Sequence, residues 1–391
     1  SINIKTINGV DILGSGNITV SGTSEDASSS AKGSIKLSGD LAGTADVPTV
    51  PELINKINKK QATFYIPSNY NFTLLNTITE KNIVVSYTHD LGGITATFGN
   101  NKNIFFEGGS FTNGTIQGTN CRITADRVEI FKNGTIGFTG TWKNDFYPEW
   151  WANSTTSNYQ VALQKAIDAA ALASGKVSLS AYTYTYYDQL TLKDGVNIEG
   201  VSKGNTALGA GPTKGTVLWC LGSSLGSTTN DNTALKIIGK MVGLRNFTIK
   251  GERSLVKYGN GIVVYGVGDG VSTTALLEGI NLSNILIHGF EKGKGLHLVA
   301  GNSGAVTYST FTDVRIRDCA EHLTIESLSS KTSYGNLGST GLAYTSPTGF
   351  LNSNTFNGLY MSGYCESGLK VVTQENASLV NSQVVYTPAN N

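Results

Sequence analysis

Charge and cysteine are scarce in this chain, and long apolar runs are absent. Of its 391 residues only 15% are charged, and the formal net charge is +1. No long basic run occurs, so nothing here would hold nucleic acid by releasing counterions, and bulk charge would not draw in an acidic polymer. The four cysteines, Cys121, Cys220, Cys319 and Cys365, lack metal-ligand spacing. Cys319 and Cys365 fall at similar points of consecutive repeats and read as small core hydrophobes. No Asp-x-Asp-x-Asp-Gly loop is present, so neither a metal nor a cofactor is expected. No apolar run approaches the ~18 residues of a membrane span, and the first residues lack a signal peptide's charged and apolar regions, so membrane insertion is not expected. A chain that starts without Met and stops abruptly at Asn391 reads as part of a longer protein.

What the chain has in quantity is glycine and tyrosine, 47 and 17 residues, a composition suited to many short strands joined by tight turns. Between Val242 and Tyr386 one pattern recurs. Asn246-Phe-Thr-Ile-Lys-Gly251, Asn284-Ile-Leu-Ile-His-Gly289, Asp313-Val-Arg-Ile-Arg-Asp318 and Asn357-Gly-Leu-Tyr-Met-Ser362 each set a polar residue before alternating apolar ones. A second strand follows each, beginning at Gly261, Gly295, His322 and Gly368. Units that cannot bury their apolar faces alone, repeated in this way, predict a stacked β-solenoid.

Three regions are expected. Residues 1–55 combine short strands, broken at Asn-Gly and Gly-Ser-Gly, with a polar linker, and could bury almost nothing alone. A short helix over 48–60 is expected to lead into residues 56–145, a small β-rich domain, β-helical or sandwich, from the alternation in ATFYI, KNIVVSY and KNIFFEGGSF. Residues 146–391 form the solenoid, with an amphipathic helix at 158–174 that caps its open end. That helix is apolar at Val161, Leu163, Ala166, Ile167, Ala170 and Ala171, is closed by Gly175, and has Thr156, Ser157 or Asn158 to cap it.

Two resemblances sharpen this division. Residues 5–20 and 31–50 resemble segments of phage tail fibres, where a thin trimeric stalk joins the virion to a receptor-binding part. Residues 141–220 run from TWKNDFYPEWW through the Ala-rich helix to Leu190-Thr-Leu and Gly195-Val-Asn-Ile-Glu-Gly200. They resemble the opening coils of pectate-lyase-like right-handed parallel β-helices in phage tailspikes and related polysaccharide-degrading proteins. The acidic run that such proteins usually carry before the helix is here Ala152-Asn-Ser-Thr-Thr-Ser-Asn158, so any function tied to those acids is not carried over. The resemblance implies a homotrimer on the virion tail, outside the host cell that makes it. Other tail proteins would hold its N-terminal segment, and a bacterial surface polysaccharide would be its partner. Asn-x-Thr triplets would accept sugars only in a secreted eukaryotic protein, a context the stalk-like start argues against.

Aligning the repeats sets Glu291, Glu321 and Glu366 just past the turn of consecutive coils. Carboxylates about 5 Å apart suit retaining glycoside hydrolysis, and about 6.5 to 9.5 Å suits inversion. Asp313, Asp318 and His288 could join them as catalytic groups, with Arg317, Tyr308, Tyr360 and Tyr364 as substrate contacts. Glu in a solenoid turn is more often only solvated or paired with a neighbour such as Lys292 or Lys294. A lyase would instead need a base beside a uronate, for which His288, His297, Arg315 and Arg317 are available. Three readings stand: a tailspike-like depolymerase, a non-enzymatic receptor-binding fibre, and a secreted polysaccharide lyase.

Overall fold

The computed structural model describes residues 63–153, 155–173, 175–204, 215–222, 233–252, 259–268, 275–301, 304–327, 350–373, 378–380 and 383–384, together with four short earlier strands. The chain separates into two units, Ser1–Thr63 and Phe64–Asn391. In the first, Thr6–Ile7 pairs antiparallel with Val10–Asp11, and Ala42–Thr44 with Val47–Thr49. Pro48 and Thr49 are therefore strand where the start of a helix was expected. The rest of that helix, and most of the expected stalk, lie outside the described residues.

The second unit is a parallel β-helix. One sheet stacks Asp145–Phe146, Lys176–Ser178, Asn197–Glu199, Gly243–Gly251, Asn281–His288, Thr310–Arg317, Thr355–Asn357 and Gln383–Val384, all paired in parallel. A second stacks Leu190–Leu192, Thr233–Ile237, Asn260–Val267, Lys294–Gly301, Glu321–Ser327 and Ser367–Thr373. A third carries Leu276–Glu278, Ala305–Thr307, Phe350–Asn352 and Ser378–Val380. Strands ahead of the helix, among them Asn82–Val85, Asn103–Phe106 and Gly114–Thr124, also pair in parallel. One hydrophobic core runs from Ile66 to Leu359, across residues 145 and 146.

Period-two alternation builds this core. In the first sheet Val177, Ile198, Leu244, Leu282, Phe311 and Phe356 occupy equivalent positions and all are buried. The rings of Phe311 and Phe356 stack at 4.5 Å and 11°, close to the ~4.8 Å separation of neighbouring strands. Each buried Leu, Ile or Phe contributes roughly 1.5–3 kcal/mol, so a coil is stable only between neighbours that cover its faces.

The long strands of the first sheet bend where the repeat carries its polar residue. Asn246, Asn284 and Asp313 have φ of 63°, 54° and 48°, a left-handed conformation that Asn and Asp tolerate better than most residues. Pairing resumes on either side, with Arg245 opposite Ser283 and Phe247 opposite Ile285. In the next coil Asn357 pairs with Thr312 and Tyr360 with Arg315, so Gly358, at φ 70°, takes the bend. The expected alignment of Asn357 with the three earlier bend residues is thus displaced by one. Glycine adopts the left-handed conformation without a side-chain signal.

The helix occupies Gln160–Ala173, with the Asn158 side chain accepting from the Gln160 amide at 2.9 Å. Leu163, Ala166, Ile167 and Ala170 are buried as expected, but Val161 is 54% exposed. Parallel strands stand both before and after it in the chain, and its buried residues belong to the same core as theirs. Of the cysteines, Cys121, Cys220 and Cys319 are buried, whereas Cys365 is exposed and corrects its reading as a core residue.

Candidate functional site

Strand register separates the glutamates that the repeat alignment brings together. Glu321 pairs with Lys294 on one side and Ser367 on the other. Glu366 therefore sits one position earlier and Glu291 three, so they form no row along the stack. The turns between sheets differ in length from coil to coil, and counting from the bend accumulates that difference. Glu321 accepts from Lys370 Nζ at 2.5 Å and Thr324 Oγ1 at 2.7 Å. Burial alone would push its carboxyl up, but those two hydrogen bonds, with Lys294 nearby, hold it below the ordinary carboxylate value. Glu366 and Glu291 share one neighbour, Tyr364, whose phenol is raised mainly by Glu366, 3.4 Å away, with Glu291 adding to it.

What the structure assembles lies past the bend of the first sheet. Here Leu218, Ile249, Ile287 and Ile316 point into the core, and the alternate positions form two rows on the other face, where Val217, Thr248 and Leu286 are also buried. One runs Thr183, Val217, Thr248, Leu286, Arg315, Tyr360; the other runs Thr185, Trp219, Lys250, His288, Arg317, Ser362. Cations lie on aromatic faces along them, Lys250 Nζ 4.0 Å from the Trp219 centroid and the Arg315 guanidinium 5.2 Å from that of Tyr360.

Asp313 and Asp318 pair with basic side chains beside these rows. Asp313 pairs with Lys203 and takes Arg315 Nε at 3.3 Å, so it leaves the amide ladder that Asn284 continues by donating to Asn246 Oδ1 at 2.8 Å. Asp318 is 6% exposed, lies 3.1 Å from His288 Nε2 and 3.3 Å from Arg317 Nε, and accepts from the Tyr364 amide at 2.9 Å. It also occupies a left-handed position, φ 51°, where the flanking coils have Gly289 and Gly363. A cavity of about 330 Å³ opens between Lys203, Gly204, Leu286, Arg315, Arg317, Tyr360 and Ser362.

Of the residues expected from sequence, the fold thus gathers Asp313, Asp318, His288, Arg317 and Tyr360 around one cavity, with Tyr364 attached through its backbone. Tyr308 is 68% exposed in the turn before Thr310 and takes no part in the lining. Sequence reasoning missed Lys203, which meets Asp313 across 110 residues of chain, and Lys250, whose place follows only from the row it shares with Trp219. On the second sheet His297 Nε2 lies 2.9 Å from Glu326, whose other neighbour is Lys294 Nζ at 3.5 Å. Burial drives that imidazole's pKa down, and Glu326 opposes it only in part.

Among the described residues no group of three or more His, Cys, Asp or Glu side chains is gathered as a metal ion would need. Comparison with models of protein families, with curated proteins and with solved structures finds no match for this chain.

Proposed function

We propose that this chain is the polysaccharide-reading β-helix of a phage tailspike-like protein, working as a homotrimer on the virion tail. It binds a bacterial surface polysaccharide along the rows past the bend and cuts a glycosidic bond beside the cavity. The observation that carries this reading is the alignment of Trp219, Lys250, His288 and Arg317, with Arg315 and Tyr360 next to them, along the direction in which the coils stack. An extended polymer lying that way meets a new side chain every ~4.8 Å. Aromatic faces suit the C–H surfaces of sugars, and planar polar groups suit their hydroxyls. For the cut, Arg315 and Arg317 hold the chain at the cavity, and His288, next to Arg317 in its row and 3.1 Å from Asp318, is the nearest imidazole for a proton transfer once its ring turns toward the chain.

Glu321 supports a second reading, a receptor-binding fibre without activity. A general acid needs a carboxyl kept protonated near neutral pH, and Glu321 is held in the opposite direction. Incubating the purified protein with surface polysaccharides of candidate hosts, and following chain length, reducing ends and unsaturated-uronate absorbance, separates the two. Shortened chains support the depolymerase; a bound polymer of unchanged length leaves the fibre; a panel with no bound polymer overturns both.

A further inference from the structure

We infer that the polysaccharide read at the Lys203–Arg315–Arg317 cavity is anionic, with one acidic group of each bound repeat seated between these three cations. The inference rests on the proposed polysaccharide site and adds the charge of its ligand. Overall charge does not suggest it, because the chain as a whole is nearly neutral at +1. The charges are sorted locally instead. Among the described residues the cavity wall contains Lys203, Arg315 and Arg317 and no carboxylate.

Two other cavities on the same unit show the contrast. One, of about 460 Å³, is lined by Asp145 with Lys176 and Arg245; the other, of about 510 Å³, by Asp145 with Arg122 and Lys143. In the first, Asp145 pairs with Lys176 at 3.0 Å within the wall itself, and Glu199, outside the lining, bridges Lys176 at 3.0 Å and Arg245 at 2.9 Å. At the Lys203 cavity the acids stand outside the lining. Asp313 and Asp318 occupy left-handed backbone positions whose equivalents in neighbouring coils are Asn284 or Gly358 and Gly289 or Gly363. Neutral residues suffice for that backbone conformation, so the carboxylates have a task beyond it. Each is a positioning residue: Asp313 holds Lys203 and Arg315, Asp318 holds Arg317 and lies 3.1 Å from His288, and Lys203, Arg315 and Arg317 line the cavity.

The chemistry of the wall matches an oxyanion held next to sugar rings. Arginine presents a planar fork of N–H donors that fits a carboxylate or phosphate in two-point contact, and lysine adds a mobile point charge. Tyr360, 41% exposed beneath the Arg315 guanidinium, offers a face for the ring that carries the acid. Lys250 over Trp219, two coils away along the adjoining row, repeats the pairing of a cation with an aromatic face.

Binding of purified surface polysaccharides to the intact protein tests this, each used native, after reduction of its carboxylates to alcohols, and after removal of phosphate. D-glucuronate and D-glucose serve as small probes in a thermal-shift titration. The expected result is that every bound polymer is acidic and that one of the two treatments, by abolishing its charge, weakens binding at least tenfold, the treatment identifying a carboxylate or a phosphate. Binding should weaken several-fold between 50 and 300 mM salt, and glucuronate should stabilise the protein where glucose does not. Arg315→Gln should remove these effects and Arg315→Lys restore part of them, with both variants melting near the parent protein. A neutral polymer bound as tightly, with no response to salt or to Arg315→Gln, would overturn the anionic reading and leave the polysaccharide site standing. No bound polymer and no difference between glucuronate and glucose would overturn both.

Discussion

The two halves of the long strands in the first sheet share a backbone and a core but present different surfaces. Before the bend, outward positions carry Lys176, Asn197, Gly243, Asn281, Thr310 and Thr355 in one row and Ser178, Glu199, Arg245, Ser283, Thr312 and Asn357 in the next. After it, Trp219, Lys250, His288, Arg315, Arg317 and Tyr360 stand in rows shared with Thr183, Thr185, Ser362 and the buried Val217, Thr248 and Leu286. Inward residues are apolar and buried in both halves, so the scaffold does not distinguish them. In a parallel stack the inward alternates are committed to folding, and the outward ones are left to function. The half that collects large aromatic and cationic side chains at a concavity is the half to test.

Substitutions and conditions that strike the shared scaffold give the largest effects and should break both halves together. Phe311→Ala removes a ring stacked on Phe356 and should cost about 3–5 kcal/mol, read as a shift in the denaturation midpoint. Acid should act on the scaffold too. Burial lowers the pKa of His89, His297 and His322 in the folded protein, so in acid the unfolded chain binds more protons. Their contribution is complete above the unfolded value of about 6.5 and is lost as pH falls below it. Denaturant midpoints should therefore decline from pH 7.5 to pH 5; a flat profile would show that these imidazoles are not buried uncharged.

Smaller changes sharpen the contrast at the bend itself. Asn284→Ala loses the side-chain bond to Asn246 and places alanine at φ 54°, for a cost of roughly 1–3 kcal/mol. Asp313→Asn restores the residue type of the two preceding bends and should change stability by less than about 1 kcal/mol, the scale of a partly exposed ion pair. On the surface, Thr310→Ala before the bend should leave both stability and polymer binding within error.

The coiled, parallel architecture was legible in the spacing of Asn246, Asn284 and Asp313, because an amide or acid at a left-handed bend is chemically distinctive. It faded at Gly358, where glycine serves the same bend without a side chain. That Glu291, Glu321 and Glu366 form no row was not legible, since they were counted across turns of unequal length, and only strand pairing shows that Glu321 faces Lys294 and Ser367. His288, Arg317 and Asp318 were readable as a local group because they lie at one turn of adjacent coils. Lys203 was not, since its partner Asp313 is 110 residues away and no local pattern links them.

The most direct test of the claim that the rows past the bend are the carbohydrate surface is a side-by-side titration of a polysaccharide bound by the parent protein. The protein, Tyr360→Ala and Thr310→Ala would be compared under identical conditions, with melting temperatures checked. Loss of at least tenfold in affinity for Tyr360→Ala alone, with both variants folded, is the predicted result. Equal affinity for all three, or loss confined to Thr310→Ala, would contradict it and move the binding surface to the other half of the strands.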